Sequence, residues 1–130
     1  MKSHYDYIIT GAGLAGLSLL MRMMQHPFFD TAQILVVDAA QKNTNDRTWC
    51  FWEKESDIFE PIVCKKWDHV SFIAPSFKTE MHLAPFAYKM IRGIDLYTHV
   101  LSIAASKSNI TFCTEPVLSV QTTQTGASVE

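Results

Sequence analysis

The chain has 130 residues, of which 48% are apolar and 18% are charged, and its formal net charge at pH 7 is −2. These values fit a globular domain with one sizeable hydrophobic core, and the weak negative charge gives no reason to expect a nucleic-acid partner. No run of about 18 apolar residues is present, which excludes a membrane-spanning helix, and the first residues lack the pattern of a signal peptide.

The start of the chain predicts a strand, a helix and a second strand. Residues 5–10 are apolar, aromatic and β-branched, as expected of a short buried strand. Residues 33–38 contain a continuous apolar run, which favours a parallel strand covered on both faces. Between them, a helix that ends before Pro27 is predicted from apolar residues at helical spacing, namely Leu14, Leu17, Leu20, Met21 and Met24. This order predicts a βαβ unit in an α/β fold.

The turn between the first strand and the helix carries three glycines in the spacing of a dinucleotide fingerprint. Gly11 permits the tight turn, Gly13 leaves room for phosphates, and Gly16 lets the helix pack on the sheet. The helix N-terminus attracts the pyrophosphate. Asp38, 22 residues after Gly16, can accept hydrogen bonds from both ribose hydroxyls and disfavours the 2′-phosphate of NADP. The pattern predicts binding of the ADP half of NAD or FAD; the alternative is an ordinary tight turn with a solvated Asp38.

The rest of the chain does not repeat the βα pattern. The predicted elements are a loop at residues 39–45, an aromatic segment at 48–53, a hairpin of strands 69–74 and 79–84, a helix at 95–106, and strands at 109–113 and 117–122. A simple NAD domain would continue with βα units, so this order favours a flavin domain with an antiparallel insertion. Residues 125–130 indicate a turn and a new strand, and we therefore expect the domain to be incomplete at its C-terminus.

Several residue groups have ordinary interpretations. The aromatic rings of residues 48–53 either fill a core or line an apolar cavity or a flavin face. The three cysteines contain no C-x-x-C pair, which favours reduced thiols in a cytosolic protein. The five histidines lack metal-ligand spacing, so no metal site is predicted. The acidic side chains of residues 53–60 are expected to form a solvated face.

The sequence resembles the amino-terminal third of the bacterial lycopene cyclases in four segments, which are YDYIITGAGLAG at residues 5–16, ILVVD at 34–38, DRTWCFW at 46–52 and YKMIRGIDLY at 88–97. The glycine motif is shared by many flavoproteins, whereas the segment around Thr48 and Trp49 is more specific. The resemblance implies a Rossmann-like FAD/NAD(P)-binding domain of the glutathione-reductase-like class, with a parallel sheet and an antiparallel insertion. Residues 1–130 would then be the amino-terminal part of a single FAD-binding domain, without the substrate domain.

The same resemblance implies a carotenoid cyclase that closes the ends of lycopene into β-ionone rings. Its family uses reduced FAD, with NADPH as electron source, in an acid–base cyclisation without net redox change. The family's carboxylic proton donor lies in a later motif, so no catalytic residue is assigned here. Because carotenoids are insoluble in water, peripheral contact with the inner membrane surface is implied. We expect the chain by itself to be inactive and to self-associate through an exposed sheet edge.

The cofactor contacts implied by the resemblance follow the family's motifs position by position. They are Gly11, Ala12, Gly13, Leu14, Ala15, Gly16, Asp38 and Ala39 for the ADP half, Arg47, Thr48 and Trp49 toward the flavin, and Val117 beside the adenine. Flavin monooxygenases place an arginine three residues before the leucine that corresponds to Leu96; that position is Gly93 here, and Arg92 is its neighbour. The alternative functions are a related FAD-dependent monooxygenase, an isoprenoid reductase, or a non-catalytic dinucleotide-binding module.

Overall fold

The computed structural model describes residues 4–130, which form two α-helices and ten strands. In chain order these are β1 (Tyr7–Thr10), α1 (Leu14–Met24), β2 (Ile34–Val37), β3 (Thr48–Glu53), β4 (Val63–Trp67), β5 (His69–Ala74), β6 (Phe77–His82), β7 (Ala87–Arg92), α2 (Gly93–Ala104), β8 (Ile110–Cys113), β9 (Val120–Thr122) and β10 (Ala127–Val129). The chain divides into two units, the first comprising the residues up to Lys42 together with Val100–Glu130, and the second Asn43–His99. Within the described part, neither helix is long and apolar enough to cross a membrane.

The first unit is built on a three-stranded parallel sheet in the order β1-β2-β8. All four residues of β2 are buried, because this strand is central and is covered on both faces, as its continuous apolar run predicts. The prediction of a buried first strand is wrong for most of its length. Among the residues of β1 only Ile9 is buried, since within the described part of the chain β1 pairs with β2 alone and lies at the edge of the sheet.

Helix α1 joins β1 to β2 and confirms the predicted βαβ start. Leu17 and Leu20 are fully buried, and the helix ends at Met24, ahead of Pro27, which begins a short 3₁₀ turn. The side-chain amide of Asn109 donates hydrogen bonds to the carbonyl oxygens of Phe29 (3.0 Å) and Ala32 (2.7 Å). These two bonds tie the segment before β2 to the start of β8, which pairs with β2.

The second unit contains two antiparallel sheets. One has three strands in the order β3-β7-β4, and the other is the hairpin of β5 and β6. The hairpin confirms the prediction around Pro75 and Ser76, with Ala74 opposite Phe77 at its tip. Strand β7, the centre of the three-stranded sheet, was not predicted from the sequence. The fold is thus α/β with mixed sheets, and its parallel sheet has three strands within residues 4–130.

The remaining elements agree with the predictions except at their boundaries. Helix α2 begins two residues before the predicted start at Asp95 and ends at Ala104. Strand β9 begins at Val120, so Val117 precedes the strand on which it was predicted. Strand β10 pairs antiparallel with β9, which confirms the expected turn and strand near residues 125–130.

Candidate functional site

The turn between β1 and α1 needs glycine at two positions for reasons within the protein itself. Gly11 has a φ of 102°, in the left-handed region that favours glycine, and its N–H donates to the carbonyl oxygen of Val37 (2.7 Å). A Cβ on Gly16 would lie 1.9 Å from the carbonyl oxygen of Gly11. The turn can therefore close against the end of β2 only if the first and last positions of the motif lack side chains.

Gly13 is different, because nothing among residues 4–130 requires a glycine there. Its φ of −84° and ψ of −168° are accessible to any residue, and a Cβ built on it would have no neighbour within 4 Å. Gly13 is also the N-cap of α1 and provides no side-chain cap, so no side chain of the cap residue fills the space beside the first turn. This space is what a close-approaching anion needs, and it fits the pyrophosphate of a dinucleotide.

Asp38 is directed at this turn. One carboxylate oxygen, Oδ2, accepts a hydrogen bond from the N–H of Ala12 (2.7 Å) and lies 3.0 Å from Nζ of Lys42, while Oδ1 accepts from the N–H of Ala40 (2.8 Å). The side chain is only 19% exposed. Burial raises the pKa of Asp38, but the bonds from Ala40, Lys42 and Ala12 together outweigh burial and hold that pKa below its usual range. The alternative of a freely solvated Asp38 is therefore wrong.

The first unit thus brings together most of the residues predicted to contact the ADP half. Ala12 is buried and its N–H bonds Asp38, whereas Ala15 and Ala39 are exposed. Val117 lies in the same unit and is half-buried. Lys42 pairs with Asp38 and was missed because the segment between them was predicted as a loop, in which a spacing of four residues does not imply a contact.

We expect Asp38→Asn to lower the free energy of unfolding by about 1–2 kcal/mol, because a carboxamide cannot accept from both backbone N–H groups and leaves Lys42 without its anion. Urea denaturation at pH 7 measures this difference. Since the folded-state pKa of Asp38 is lowered, its stabilisation is present above the ordinary carboxyl pKa and is lost as the pH falls through the folded value. The difference in the free energy of unfolding between the parent chain and Asp38→Asn should therefore become smaller in acid. A difference that stays constant with pH would contradict this role for the carboxylate.

The segment predicted to approach the flavin lies on β3 and the residue before it, in the second unit. The carbonyl oxygen of Arg47 accepts from the N–H of Gly93 (2.7 Å), and its side chain is 70% exposed. Thr48 is exposed and lies opposite Arg92 in the sheet. The ring of Trp49 is half-buried and packs edge-on against Tyr97, with centroids 6.1 Å apart. Trp49 thus has a packing role in the second unit.

The aromatic residues of β3 divide between the two faces of the sheet. Trp49 and Phe51 are half-buried, whereas Trp52 is 57% exposed. Trp52 lies opposite Tyr88 with ring centroids 4.7 Å apart, and Trp67 flanks Tyr88 on its other side at 5.8 Å. The packing role is thus confirmed for Trp49 and Phe51, whereas contact of this segment with a cavity or a flavin stays a prediction.

The position where flavin monooxygenases place an arginine is Gly93 here, and backbone atoms of Arg47 lie where its side chain would begin. A Cβ on Gly93 would lie 3.0 Å from the carbonyl oxygen of Arg47. The neighbouring Arg92 instead forms a two-pronged pair with Asp95, from Nε to Oδ2 (2.6 Å) and from Nη2 to Oδ1 (2.9 Å). Arg92 is thus held in an ion pair with Asp95 in the first turn of α2.

A buried lysine between two glutamates was missed by the sequence analysis. Lys89 on β7 is 2% exposed, and its Nζ lies 2.6 Å from Glu53 and also bonds Glu60. The hydrogen bonds that Lys89 donates to Glu53 and Glu60 raise the pKa of Lys89, and the bond from Lys89 lowers the pKa of Glu60. The prediction that residues 53–60 form a solvated acidic face is therefore wrong for Glu53 and Glu60, because β7 places the ammonium group of Lys89 between their carboxylates.

Comparison with known proteins gives one family and one fold. The family model described as "Lycopene cyclase protein" matches residues 6–130. A lycopene beta-cyclase from Pantoea ananas is 32% identical in a 92-residue alignment that covers 66% of this chain. The chain spans 23% of the length of that relative.

Among solved structures, PqsL from Pseudomonas aeruginosa, described as "a probable FAD-dependent monooxygenase", has a TM-score of 0.70 at 14% identity. The alignment covers 98% of this chain and 37% of PqsL. The halogenase PltM, solved with phloroglucinol and FAD, has a TM-score of 0.64 at 17% identity over 97% of this chain and 31% of its own. These likenesses show a shared α/β fold of the kind found in FAD-dependent enzymes.

Proposed function

The chain belongs to the lycopene cyclase protein family, and from that premise we propose that it supplies the FAD-binding part of an enzyme that converts the ends of lycopene into β-ionone rings. The observation that carries the cofactor assignment is the open backbone at Gly13, beside a carboxylate fixed on the same turn. A glycine that neither packing nor backbone conformation requires is explained by a ligand that must approach the main chain.

Each part of the turn has a distinct task in this proposal. The N–H groups at the start of α1 would bind the pyrophosphate, and Gly13 would let it approach the backbone. Asp38 would accept a ribose hydroxyl on Oδ1, which has one protein donor, while Oδ2 is already shared by Ala12 and Lys42. A second ribose hydroxyl would reach Oδ2 only if Lys42 released it. The proposed contacts are those predicted at residues 11–16, Asp38 and Ala39 for the ADP half, with Val117 beside the adenine.

The flavin end of the cofactor would be approached by Arg47, Thr48 and Trp49. Trp49 is held by its edge-on contact with Tyr97, whose hydroxyl donates to Asp46 (2.9 Å). Such fixed side chains would orient a planar ligand without further loss of conformational entropy. When bound, reduced FAD would stabilise the positive charge that develops on the cyclising polyene.

The proton donor of the cyclisation is not assigned to any carboxyl group of residues 4–130. Glu60 is unsuited to the task, because the bond from Lys89 lowers its pKa and keeps it ionised at neutral pH. NADPH is proposed only as the source of electrons for the flavin. Asp38 would repel the 2′-phosphate of NADPH, which is therefore expected to bind elsewhere.

A monooxygenase is the second candidate function, and the fold shared with PqsL favours it. The two candidates differ in their use of reductant. A hydroxylase would consume NADPH in proportion to its product, whereas a cyclase needs reduced flavin without stoichiometric consumption. Measuring NADPH oxidation against product formed from lycopene separates them, and one NADPH oxidised per product would contradict the cyclase.

Titration of the purified chain with FAD and with NAD tests the cofactor assignment. We expect FAD to bind at least about tenfold more tightly than NAD, a difference of about 1.4 kcal/mol, because the proposed contacts of Arg47, Thr48 and Trp49 are with the flavin, which NAD lacks. Competition by ADP should displace FAD, because the turn contacts only the shared ADP half. Tight binding of NAD together with no binding of FAD would overturn both flavoenzyme candidates and leave a dinucleotide-binding module.

A further inference from the structure

The loop after β2 brings a lysine onto the carboxylate that the proposed site uses for the ribose. Nζ of Lys42 lies 3.0 Å from Oδ2 of Asp38, and the side chains of Lys42 and Asp38 are 15% and 19% exposed. Oδ1 of Asp38 accepts from the N–H of Ala40 (2.8 Å), and such a bond to the backbone two residues further on is typical of a turn. The carboxylate therefore fixes the start of the loop and also receives the lysine that follows it.

The hydrogen-bonding capacity of Asp38 is nearly filled by the protein itself. A carboxylate offers about four acceptor positions, two on each oxygen. Within the part of the chain that the structure describes, Oδ1 has one donor, Ala40, whereas Oδ2 has two, the N–H of Ala12 (2.7 Å) and the ammonium group of Lys42. A ribose with two neighbouring hydroxyl groups therefore finds one position open on Oδ1 and none on Oδ2.

These three donors differ in their freedom to leave the carboxylate. The N–H groups of Ala12 and Ala40 belong to the backbone, and the turn that contains Ala12 is closed by the bond from Gly11 to Val37 (2.7 Å). Lys42 reaches Asp38 through a flexible four-carbon stem, and its ammonium group is strongly hydrated once it is released. Lys42 is therefore the donor that a ligand can displace from Oδ2.

We propose that Lys42 competes with the ribose of a bound ADP group for Oδ2 of Asp38, and thereby sets how strongly this turn selects a nucleotide that carries both ribose hydroxyls. The proposal rests on the proposed function, in which the turn binds the ADP half of FAD. With Lys42 in place the ribose makes one bond to the carboxylate, and with Lys42 displaced it makes two. Lys42 acts through Asp38 and is thus a positioning residue for the ribose.

The binding of two nucleotides tests the proposal. ADP and 2′,3′-dideoxyadenosine diphosphate carry the same phosphates, so the ratio of their affinities reports the ribose hydroxyls and is insensitive to the removal of a positive charge from the protein. Calorimetric titration of the purified chain measures both affinities. We expect Lys42→Met to raise the ratio in favour of ADP about fivefold, as for one additional hydrogen bond.

Two variants serve as controls. Lys42→Arg keeps a cation beside Asp38 and should keep the affinity ratio of the parent chain. Lys107→Met removes a lysine from a different ion pair of the first unit, with Asp30, and should also leave the ratio unchanged. Thermal unfolding followed by circular dichroism identifies any variant that does not fold.

A second measurement uses the parent chain and covers the case in which Lys42→Met does not fold. With isotope-labelled lysine side chains, the NMR signal of the Lys42 ammonium group, assigned with Lys42→Arg, should shift more on addition of ADP than on addition of the dideoxy nucleotide. The proposal is overturned if the two nucleotides shift this signal equally, or if the affinity ratio in Lys42→Met is equal to or below that of the parent chain. ADP binding with an unchanged ratio leaves the proposed function intact, whereas no binding of ADP by either the parent chain or Lys42→Met overturns both.

Discussion

The substitution Gly13→Val is expected to weaken FAD binding at least about 100-fold, or about 2.7 kcal/mol, while leaving the chain folded. The physical reason is that the backbone of Gly13 is in an ordinary extended conformation and that its surroundings are open. The valine side chain would fill the space that the pyrophosphate must enter, and its Cβ would have no protein neighbour within 4 Å. Fluorescence titration of FAD measures the affinity, and thermal unfolding followed by circular dichroism measures the stability.

Gly16→Ala is the matched variant in the same motif, and it is expected to lose stability, whereas Gly13→Val is expected to remain folded. Its Cβ would overlap the carbonyl oxygen of Gly11 at 1.9 Å, and the nearest atoms are backbone atoms that cannot move aside locally. We therefore expect this variant to lose the folded first unit, or at least about 3 kcal/mol of stability. The comparison separates the two roles of glycine within one motif. Unchanged FAD affinity in Gly13→Val would contradict a phosphate site at this turn, and a stable Gly16→Ala protein would contradict the close packing.

The parts of the fold that local sequence determines were predicted well. The continuous apolar run of β2 favoured a parallel strand covered on both faces, and all four of its residues are buried. The hairpin of β5 and β6 was recognised because Pro75 and Ser76 separate two strand-like runs. In each case the signal lies within a few residues of the element that it predicts.

The parts that depend on strand order could not be predicted in this way. The sequence of β1 is as apolar as that of a central strand, yet its residues are mostly exposed, because in this chain it pairs on one side only. Strand β7 was missed because Lys89 stands among its inward-facing positions and breaks the apolar alternation. That lysine is tolerated there only because Glu53 and Glu60, 36 and 29 positions away, neutralise it.

The candidate site shows the same division between local and distant signals. The spacing of the glycines and Asp38 was enough to predict that these residues come together, and the bond from the N–H of Ala12 to Asp38 joins them. The ion pair with Lys42 was not predictable, because a loop conformation brings the two side chains together. Whether Arg47, Thr48 and Trp49 contact the flavin stays a prediction, since that segment belongs to the second unit.

Replacing Lys89 with methionine is expected to destabilise the second unit by about 2–3 kcal/mol at pH 7, because it leaves two carboxylates without the cation between them. This expected loss of stability is smaller than for a fully buried ion pair, since Glu60 is 38% exposed and water screens part of its charge. Urea denaturation followed by tryptophan fluorescence measures the loss, because Trp49, Trp52 and Trp67 all lie in this unit. Lys65→Met, at an exposed position of β4 opposite Met90, is the matched control and should change stability by less than about 0.5 kcal/mol.

The pH dependence shows whether charge or packing is responsible for this loss. The pKa of Glu60 is lowered, so its stabilisation is present above the ordinary glutamate pKa and is lost as the pH falls through the folded value. The pKa of Lys89 is raised, so its stabilisation is present below the ordinary lysine pKa and is lost as the pH rises through the folded value. The free energy of unfolding that Lys89→Met loses relative to the parent chain should thus be constant between about pH 5 and pH 10. This loss should become smaller below and above that range. Adding Glu53→Gln and Glu60→Gln to Lys89→Met should restore most of the lost stability, because neither position then carries an unpaired carboxylate. If the triple variant is as unstable as Lys89→Met alone, the lysine instead stabilises the unit through its packed methylene chain.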